Sequence, residues 1–403
     1  MQSPAVVFVT ALSMRLWAAS RLSPEEAWRY FYGYNEFARI AWAMVSGFGY
    51  SSPWPHTPLL PTAVEPPVYA VLLSGIFKMA GAYSFRSLWI AIGFNAVLSS
   101  IAAVLLLRIG QSRFGSPVGI LAAWVWSCWL YEAAVAVRLW ESSLSALLLL
   151  LGLLWLPKLA GTLRPAHWAG FGALAGLGAL TNTSLIAVFP FFLVWLFIQH
   201  RRQKRSCGLQ LATAIGICIL VMMPWTIRNY LTFHRWMPVR DNFGLELWLG
   251  NHEGVGSRFE TFPIVNPEEY NRLGEIRFME TERELAVQFI RRHPAEFLGR
   301  CAKRVFRYWT EPRGSVWPFV SFLAWIGLAL AFHGRQWDVM PHGIALLCFP
   351  VAYYITHTFP TYRHVIEPSV ILMASYTVVS AGTALENRMR QGSSEREVGV
   401  PGG

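Results

Sequence analysis

Residues 87–107 read SLWIAIGFNAVLSSIAAVLLL, without one charged side chain. As a helix rising about 1.5 Å per residue, such a stretch matches the roughly 30 Å hydrocarbon core of a bilayer. Similar apolar runs fall near 4–20, 66–81, 117–137, 142–157, 167–199, 209–226, 316–333, 340–357 and 364–382. This repetition predicts an all-α polytopic membrane protein, a bundle of about 10–11 transmembrane helices. The run from Pro4 to Ser20 lacks the basic leader of a secretory signal and reads as a retained first span.

Composition agrees with this reading. Of 403 residues, 54% are hydrophobic and only 14% charged, whereas a soluble domain carries nearer a quarter charged. The net charge of +11 is expected to reflect basic cytoplasmic loops facing anionic lipid, not nucleic-acid binding. Cys128, Cys207, Cys218, Cys301 and Cys348 are scattered and imply no disulfide or zinc framework.

One region departs from the apolar pattern. Residues 227–315 hold 26 of the 57 charged side chains, which predicts an external soluble lobe. Within it, Asn266, Pro267 and Glu269 mark a helix start before a run that stops at Pro294. The following AEFLGRCAKRVFRYW places Phe297, Cys301, Val305 and Trp309 on one side, as suits a helix at the lipid interface. The expected organisation is a transmembrane module over 1–226 with a first external loop at 21–65. The lobe follows, then C-terminal transmembrane helices over 316–385 and a disordered cytoplasmic tail over 386–403.

Basic clusters orient the chain. His200–Arg205 (HRRQKR), together with Arg388 and Arg390, is expected in the cytoplasm, which places the lobe outside. The run 167–199 is long for one crossing and short for two. One crossing kinked near Thr181-Asn182-Thr183 would bring loop 21–65 to the lobe's face, whereas two would move it inside.

Polar residues at the predicted span ends are the candidates for chemistry. In YNEFARIAWAMVSGFGYSSP (34–53), Phe37, Ile40, Ala41, Met44 and Val45 form an apolar helical stripe, with Glu36 and Arg39 off it. The plainest account of those two is a solvated ion pair. VRLWESS places Arg138 and Glu141 between apolar runs, MPWTIRNY ends a span with Arg228 and Asn229, and FPTYRHVIEP opens the last with Tyr362, Arg363, His364 and Glu367. Charges near spans are paired, snorkelled or functional.

In order, these stretches resemble the polytopic GT-C glycosyltransferases of the protein O-mannosyltransferase and aminoarabinose-transferase type. The resemblance also rests on TAVEPPVYAVLLSGIFKMAGAYS, WAGFGALAGLGALTNTS and PWTIRNYLTFHRWMPVRDNFGLELWLGN, and covers roughly residues 5–382. It implies transfer of a sugar from a polyprenyl-phosphate carrier to a hydroxyl of a protein, lipid or glycan at the external face of the cell (inner) membrane, with inversion. The lipid-linked sugar is a co-substrate and no cofactor is implied. The chain departs from the family at two places. Tyr32-Gly33 stand where such enzymes carry an acid, and Glu65 stands where the aminoarabinose branch has a lysine.

A departing phosphate suits arginines, which stay charged and bind it in a fork. Arg228 and Arg363 are the first expectations, followed by Arg138 and Arg39. Glu36 is the expected base, with Glu25 and Glu26 as alternatives, and Glu141 orients the acceptor or steadies the arginines. Tyr362, His364 and Asn229 are expected to line the donor or acceptor site, and no metal site is expected. A transporter or flippase of a lipid-linked substrate, or an inactive scaffold of this fold, are the competing readings.

Overall fold

The computed structural model describes residues 3–28, 35–255, 265–311 and 316–398; Tyr32 and Gly33 lie outside them. The described residues are helical and contain no β-strand beyond one isolated bridge between Ser51 and Pro61. Six helices are long and apolar enough to cross a membrane, seven if the bent pair near residue 129 counts as one, and three shorter apolar helices accompany them. The protein is a multi-pass membrane protein.

Helix α1 (Pro4–Ser20) buries Arg15 completely. After α2 (Pro24–Trp28) and α3 (Glu36–Val45) comes α4 (Pro67–Ala80), then the long α5 (Phe85–Arg113). Helices α6 (Ser116–Cys128) and α7 (Leu130–Ala136) meet at a 65° bend. The bend leaves carbonyls of α6 without helical partners. Arg15 satisfies those of Trp126 and Ser127 at 3.0 Å each and bonds Ser99 Oγ on α5 at 2.8 Å. Three passes are thereby tied around one buried guanidinium.

The run at 66–81 is not a crossing. Val68 N donates to the Leu180 carbonyl, and Tyr69 is bonded by Asn95 of α5 at 2.7 Å. Asn95 also reaches the carbonyl of Arg138, beyond α7. Helix α4 therefore folds back against the first turns of α5, on the side of the bundle where α1 ended. At 14 residues it is also short for a span.

The expected single crossing at 167–199 is two. After α8 (Ser142–Gly161), α9 (Pro165–Ala179) ascends, a 3₁₀ turn at Thr183–Ala187 reverses the chain, and α10 (Phe189–Arg202) descends. Trp168 near the start of α9 packs on His200 near the end of α10, with ring centroids 5.7 Å apart. Gly172 and Gly176, four apart on α9, meet the carbonyls of Ala214 and Cys218 on α11 (Gly208–Phe233). Only residues without a side chain allow this approach. The two departures cancel, one crossing fewer and one more, so loop 21–65 and the lobe meet at one end.

The lobe comprises α12 (Phe243–Gly250), α13 (Pro267–Leu273), α14 (Glu275–Arg292) and α15 (Pro294–Thr310). It shares a core with the first loop: Trp54 and Val64 pack with Leu245, Leu249, Tyr270 and Phe278. On α15, Leu298 and Phe306 are exposed, while Arg300 and Arg304 are buried and hold backbone carbonyls between residues 250 and 355. The chain returns through α16 (Trp317–His333), α17 (Met340–Cys348), α18 (Val351–Ile355) and α19 (Glu367–Val398). The tail expected to be disordered from 386 continues α19 to Val398, since Glu386, Arg388, Met389 and Arg390 favour a helix. Residues 399–403 lie outside those described.

Candidate active site

Helix α3 is seated by Asn35. Its Oδ1 accepts from Ala38 N at 2.8 Å as an N-cap, and its Nδ2 donates to the Leu139 carbonyl at 2.7 Å. Phe37, Ile40 and Ala41 of the apolar stripe are buried; Phe37 meets Tyr69 and Trp140 edge-on at 5.3 and 5.1 Å. Met44 is half-buried and Val45 exposed. Gly47 and Gly49, both at positive φ, turn the chain away from the helix. Glu36 is thereby left facing the first loop, and Trp54 Nε1 donates to its Oε1 at 2.9 Å.

A second approach comes from the end of α11. Asn229 Nδ2 donates to the carbonyls of Met237 and Val239, at 3.0 and 3.1 Å, and Trp225 Nε1 also reaches Val239. These ties fold residues 237–240 back onto the helix, and Asp241 N then pairs with the Ala63 carbonyl at 2.9 Å. Arg240 is delivered between loop and lobe. Its Nε donates to Asn242 Oδ1 at 2.5 Å, and its Nη atoms lie 3.2 Å from Glu246 and 3.6 Å from Glu65. Glu246 is 3.3 Å from His357 Nδ1, and His357 Nε2 is 3.0 Å from the Tyr362 hydroxyl. From the top of α8, Glu141 accepts from Asn182 at 3.0 Å through Oε1, while its buried Oε2 has no hydrogen-bond partner.

Four carboxyl groups (Glu36, Glu65, Glu141 and Glu246) thus surround one guanidinium at the end of the bundle that faces the lobe. Burial, reinforced by Glu36, Glu141 and Glu246, pushes Glu65 well above the ordinary carboxylate range even with Arg240 opposing. Burial also raises Glu36 against the Trp54 bond, with Glu246 adding to the rise. Glu141 is raised to about 7, chiefly by burial. Burial disfavours the charged form of Arg240, yet Glu65, Glu246, Glu36 and Glu141 together hold its proton more tightly than usual. Burial lowers His357, with Glu246 opposing.

The residues expected from the sequence divide into two groups. Glu36, Glu141 and Tyr362 converge on this cluster. Arg228 does not reach it: its Nη atoms donate to the carbonyls of Thr62 at 2.7 Å and Tyr50 at 3.1 Å, and it lies over the Trp225 ring. Asn229 is fully buried in the turn described above. Arg363 is sealed inside the bundle, with Nε 2.6 Å from Glu367 and Nη1 2.6 Å from Ser321 Oγ. His364 is equally buried, 2.6 Å from Glu132. Its Nε2 has no hydrogen-bond partner. These are ties inside the fold, so the clamp of Arg228 and Arg363 is not assembled: backbone and carboxylate already occupy their donors. Arg138 is half-buried, with its carbonyl held by Asn95. Arg39 is half-buried, its Nε lacks a hydrogen-bond partner, and Tyr83 is its electrostatic neighbour. The expected pairing of Glu36 with Arg39 is therefore replaced by Trp54 and the Arg240 group.

Sequence reading missed Arg240, Glu246, His357 and Asn182, and treated Glu65 only as a departure from a family pattern. Arg240 stands in MPVRDNF with no helical periodicity to single it out. Among the described residues, no group of three or more His, Cys, Asp or Glu is arranged to hold a metal ion.

Comparison with known proteins concerns the fold first. The chain shares the fold of the Archaeoglobus fulgidus oligosaccharyltransferase solved with Zn and sulfate, aligning at a TM-score of 0.59 and 11% identity and covering 96% of this chain and 50% of that one. Its apo form aligns at 0.54 and 12% identity, covering 99% and 52%. ArnT from Cupriavidus metallidurans bound to undecaprenyl phosphate aligns at 0.49 and 13%, covering 93% and 59%. The chain therefore spans between half and three-fifths of these proteins' lengths. More particularly, residues 64–227 match the dolichyl-phosphate-mannose-protein mannosyltransferase family. No curated protein sequence matches the chain.

Proposed function

We propose that this protein is an integral-membrane glycosyltransferase that moves a sugar from a polyprenyl-phosphate donor to an acceptor hydroxyl, with inversion. The observation that carries this reading is one side-chain cluster, at the lobe end of the bundle, holding both a carboxylate placed to act as base and a guanidinium. Arg240 takes the donor phosphate and stabilises the charge it gains as the anomeric bond breaks. Glu36, with Trp54 fixing one oxygen, accepts the proton of the attacking hydroxyl. Glu141, with one oxygen bonded to Asn182 and the other open, positions the sugar or the acceptor. Tyr362 and His357 form the wall beside Glu246.

The match over residues 64–227 to a family named for a dolichyl-phosphate sugar supports the donor class. We place the pocket on the external face of the cell membrane. His200–Arg205 lies at the opposite end of the bundle from the pocket, and Arg388 and Arg390 lie towards the same end, where basic loops face the cytoplasm. The break near Thr181-Asn182-Thr183, which would have favoured a transporter, is the turn between two antiparallel helices and sits beside the pocket.

Purified protein in liposomes, supplied with a panel of polyprenyl-phosphate sugars, tests the proposal. Release of polyprenyl phosphate should accompany sugar transfer to a protein, lipid or glycan acceptor. Glu36→Gln should lower transfer by about 10²–10⁴-fold with donor binding retained. A Glu36→Gln protein of wild-type rate would remove Glu36 as the base.

A further inference from the structure

Three tyrosine rings pack together at the lobe end of the bundle, and the mechanism above uses none of their faces. Tyr353 on α18 lies against Tyr308 of α15, with centroids 6.3 Å apart and planes 13° from parallel. It lies closer still to Tyr362, at 4.7 Å and 31°. Tyr308 is buried, whereas Tyr353 and Tyr362 are half-buried. Phe359 stands edge-on to Tyr362 at 5.6 Å. Tyr362 therefore ends the series, backed by Tyr353 and braced at its side by Phe359.

The hydroxyls of Tyr362 and Tyr353 are tied in opposite directions. That of Tyr362 lies 3.0 Å from His357 Nε2, and His357 Nδ1 lies 3.3 Å from Glu246, which is 3.2 Å from Arg240. That of Tyr353 accepts from Ser184 Oγ at 2.9 Å. Ser184 N donates to Asn182 Oδ1 at 2.9 Å, and the same Asn182 donates through Nδ2 to Glu141 Oε1 at 3.0 Å. Direct contacts thus run from the guanidinium, across the tyrosine pair, to the carboxyl group whose buried Oε2 has no hydrogen-bond partner. With both hydroxyls held, the rings are fixed before a ligand arrives, which lowers the cost of ordering one on them.

A sugar ring has a face of C–H bonds and an edge of hydroxyls. The negative face of an aromatic ring attracts the first, and a carboxylate accepts strongly from the second. In a lipid-phosphate sugar these parts follow the phosphate in order: the anomeric carbon is bonded to it, and the remaining hydroxyls lie beyond. Arg240, Tyr362 and Glu141 present matching groups in the same order. Resting on the transferase reading, we infer that the Tyr362 ring is the platform for the donor's sugar and that Glu141 Oε2 accepts from one of its hydroxyls. Tyr353 is a positioning residue that backs the platform. The donor favoured is a pyranose with an unobstructed C–H face and a free hydroxyl on the side away from the phosphate. Assigning Glu141 to the donor leaves Glu36 for the acceptor, and the held ring keeps its anomeric carbon in one orientation for the displacement.

Binding to the purified protein in nanodiscs tests the platform without turnover. The probes are dolichyl phosphate bearing mannose, glucose, galactose or N-acetylglucosamine, each compared with sugar-free dolichyl phosphate. The wild type should bind at least one sugar-bearing lipid about tenfold more tightly than the sugar-free one. Tyr362→Leu should lose about tenfold for that lipid while binding the sugar-free lipid as before, and Tyr362→Phe, which keeps the ring, should recover most of the loss. Glu141→Gln should also lose about tenfold for the sugar-bearing lipid alone. Tyr353→Leu should lose about threefold, again only where a sugar is present, which a merely structural ring would not do. Tyr362→Leu and Glu141→Gln proteins that weaken both lipids equally would overturn the platform. A wild type that binds every probe no better than sugar-free lipid would overturn it too, while leaving the phosphate at Arg240. A wild type that binds neither kind of lipid would instead overturn the transferase reading and the platform with it.

Discussion

Arg240, half-buried, and Arg363, buried, are both set against glutamates, and the difference between them separates chemistry from architecture. Arg363 meets one carboxylate, Glu367, through two nitrogens at 2.6 and 3.2 Å. It gives its remaining reach to Ser321 and the Tyr308 carbonyl and lies 3.7 Å above the Trp317 ring. Its charge is balanced one to one and its donors are occupied. Arg240 faces Glu65 and Glu246 directly, with Glu36 and Glu141 in its field. There the charge is unbalanced, and the 3.6 Å contact to Glu65 leaves a side of the guanidinium to be claimed. A saturated arginine holds a fold together, whereas one shared among surplus carboxyl groups has work left for a ligand.

The largest expected effects test that contrast directly. Arg240→Gln should cut transfer by about 10²–10³-fold, on the scale of losing one donor that stabilises transition-state charge, while the protein stays folded. Arg363→Met should do the reverse: breaking a buried pair from one side costs about 3–5 kcal/mol, so the thermal midpoint in detergent should fall sharply. Surviving molecules should retain wild-type KM. Equal loss of stability in both variants would erase the distinction.

A medium effect concerns the latch between lobe and first loop. Glu275 accepts from Thr62 Oγ1 at 2.5 Å, Ala63 N at 2.6 Å and the Tyr270 hydroxyl at 3.1 Å. Burial raises its pKa to about 7, with the Thr62 and Ala63 bonds opposing. The folded state therefore binds the proton more tightly than the unfolded one, and this contribution to stability is fully present below about pH 4.5 and is lost as pH rises through about 7. The change amounts to about 3 kcal/mol at most. Hydrogen-exchange protection of the 60–64 amides should be higher near pH 5 than near pH 8, and Glu275→Gln should flatten the difference. Protection that rises with pH would contradict the sign.

How much of this was legible beforehand depended on the kind of signal. Apolar runs announce helices because burial needs only composition and period, and the charged stretch 227–315 announced the lobe for the same reason. Direction was harder to read. That 66–81 folds back is decided by Asn95 meeting Tyr69 and Arg138, a contact between residues far apart in sequence. The pocket was half legible. Glu36 and Glu141 stood out as charges beside spans. Arg240 and Glu65 lie in stretches without period, where position is set by ties such as Asn229 to Val239 and Tyr50 to Glu65. Arg228 and Arg363 misled because a charge at a span end looks alike whether it awaits a ligand or holds a carbonyl.

A smaller effect follows for Arg228. Lysine keeps the charge but cannot bridge the Thr62 and Tyr50 carbonyls with one fork. Arg228→Lys should cost about 1–2 kcal/mol of stability and raise KM more than it lowers kcat, because the loop carrying Trp54 and Glu65 loosens. A kcat loss as deep as that of Arg240→Gln would return Arg228 to the phosphate.

The smallest effect belongs to Glu25 and Glu26, the alternatives to Glu36 as catalytic acid. Both are exposed on the five-residue helix α2. Glu26 Oε2 accepts from Ser23 N at 3.0 Å while Ser23 Oγ accepts from Glu26 N at 3.1 Å, a reciprocal cap that gives the carboxylate a local structural duty. Those bonds to Ser23 hold its pKa below the ordinary range, the opposite of what the pocket does to Glu36. A carboxylate that gives up its proton so readily and is open to water is a weak base and has nothing to concentrate its charge on a substrate. Glu25→Gln and Glu26→Gln should therefore leave transfer within about twofold of wild type, as surface changes away from such features do. Loss of activity in either variant, with Glu36→Gln unaffected, would move the base to the exit of α1 and leave the four-carboxyl pocket without its assigned chemistry.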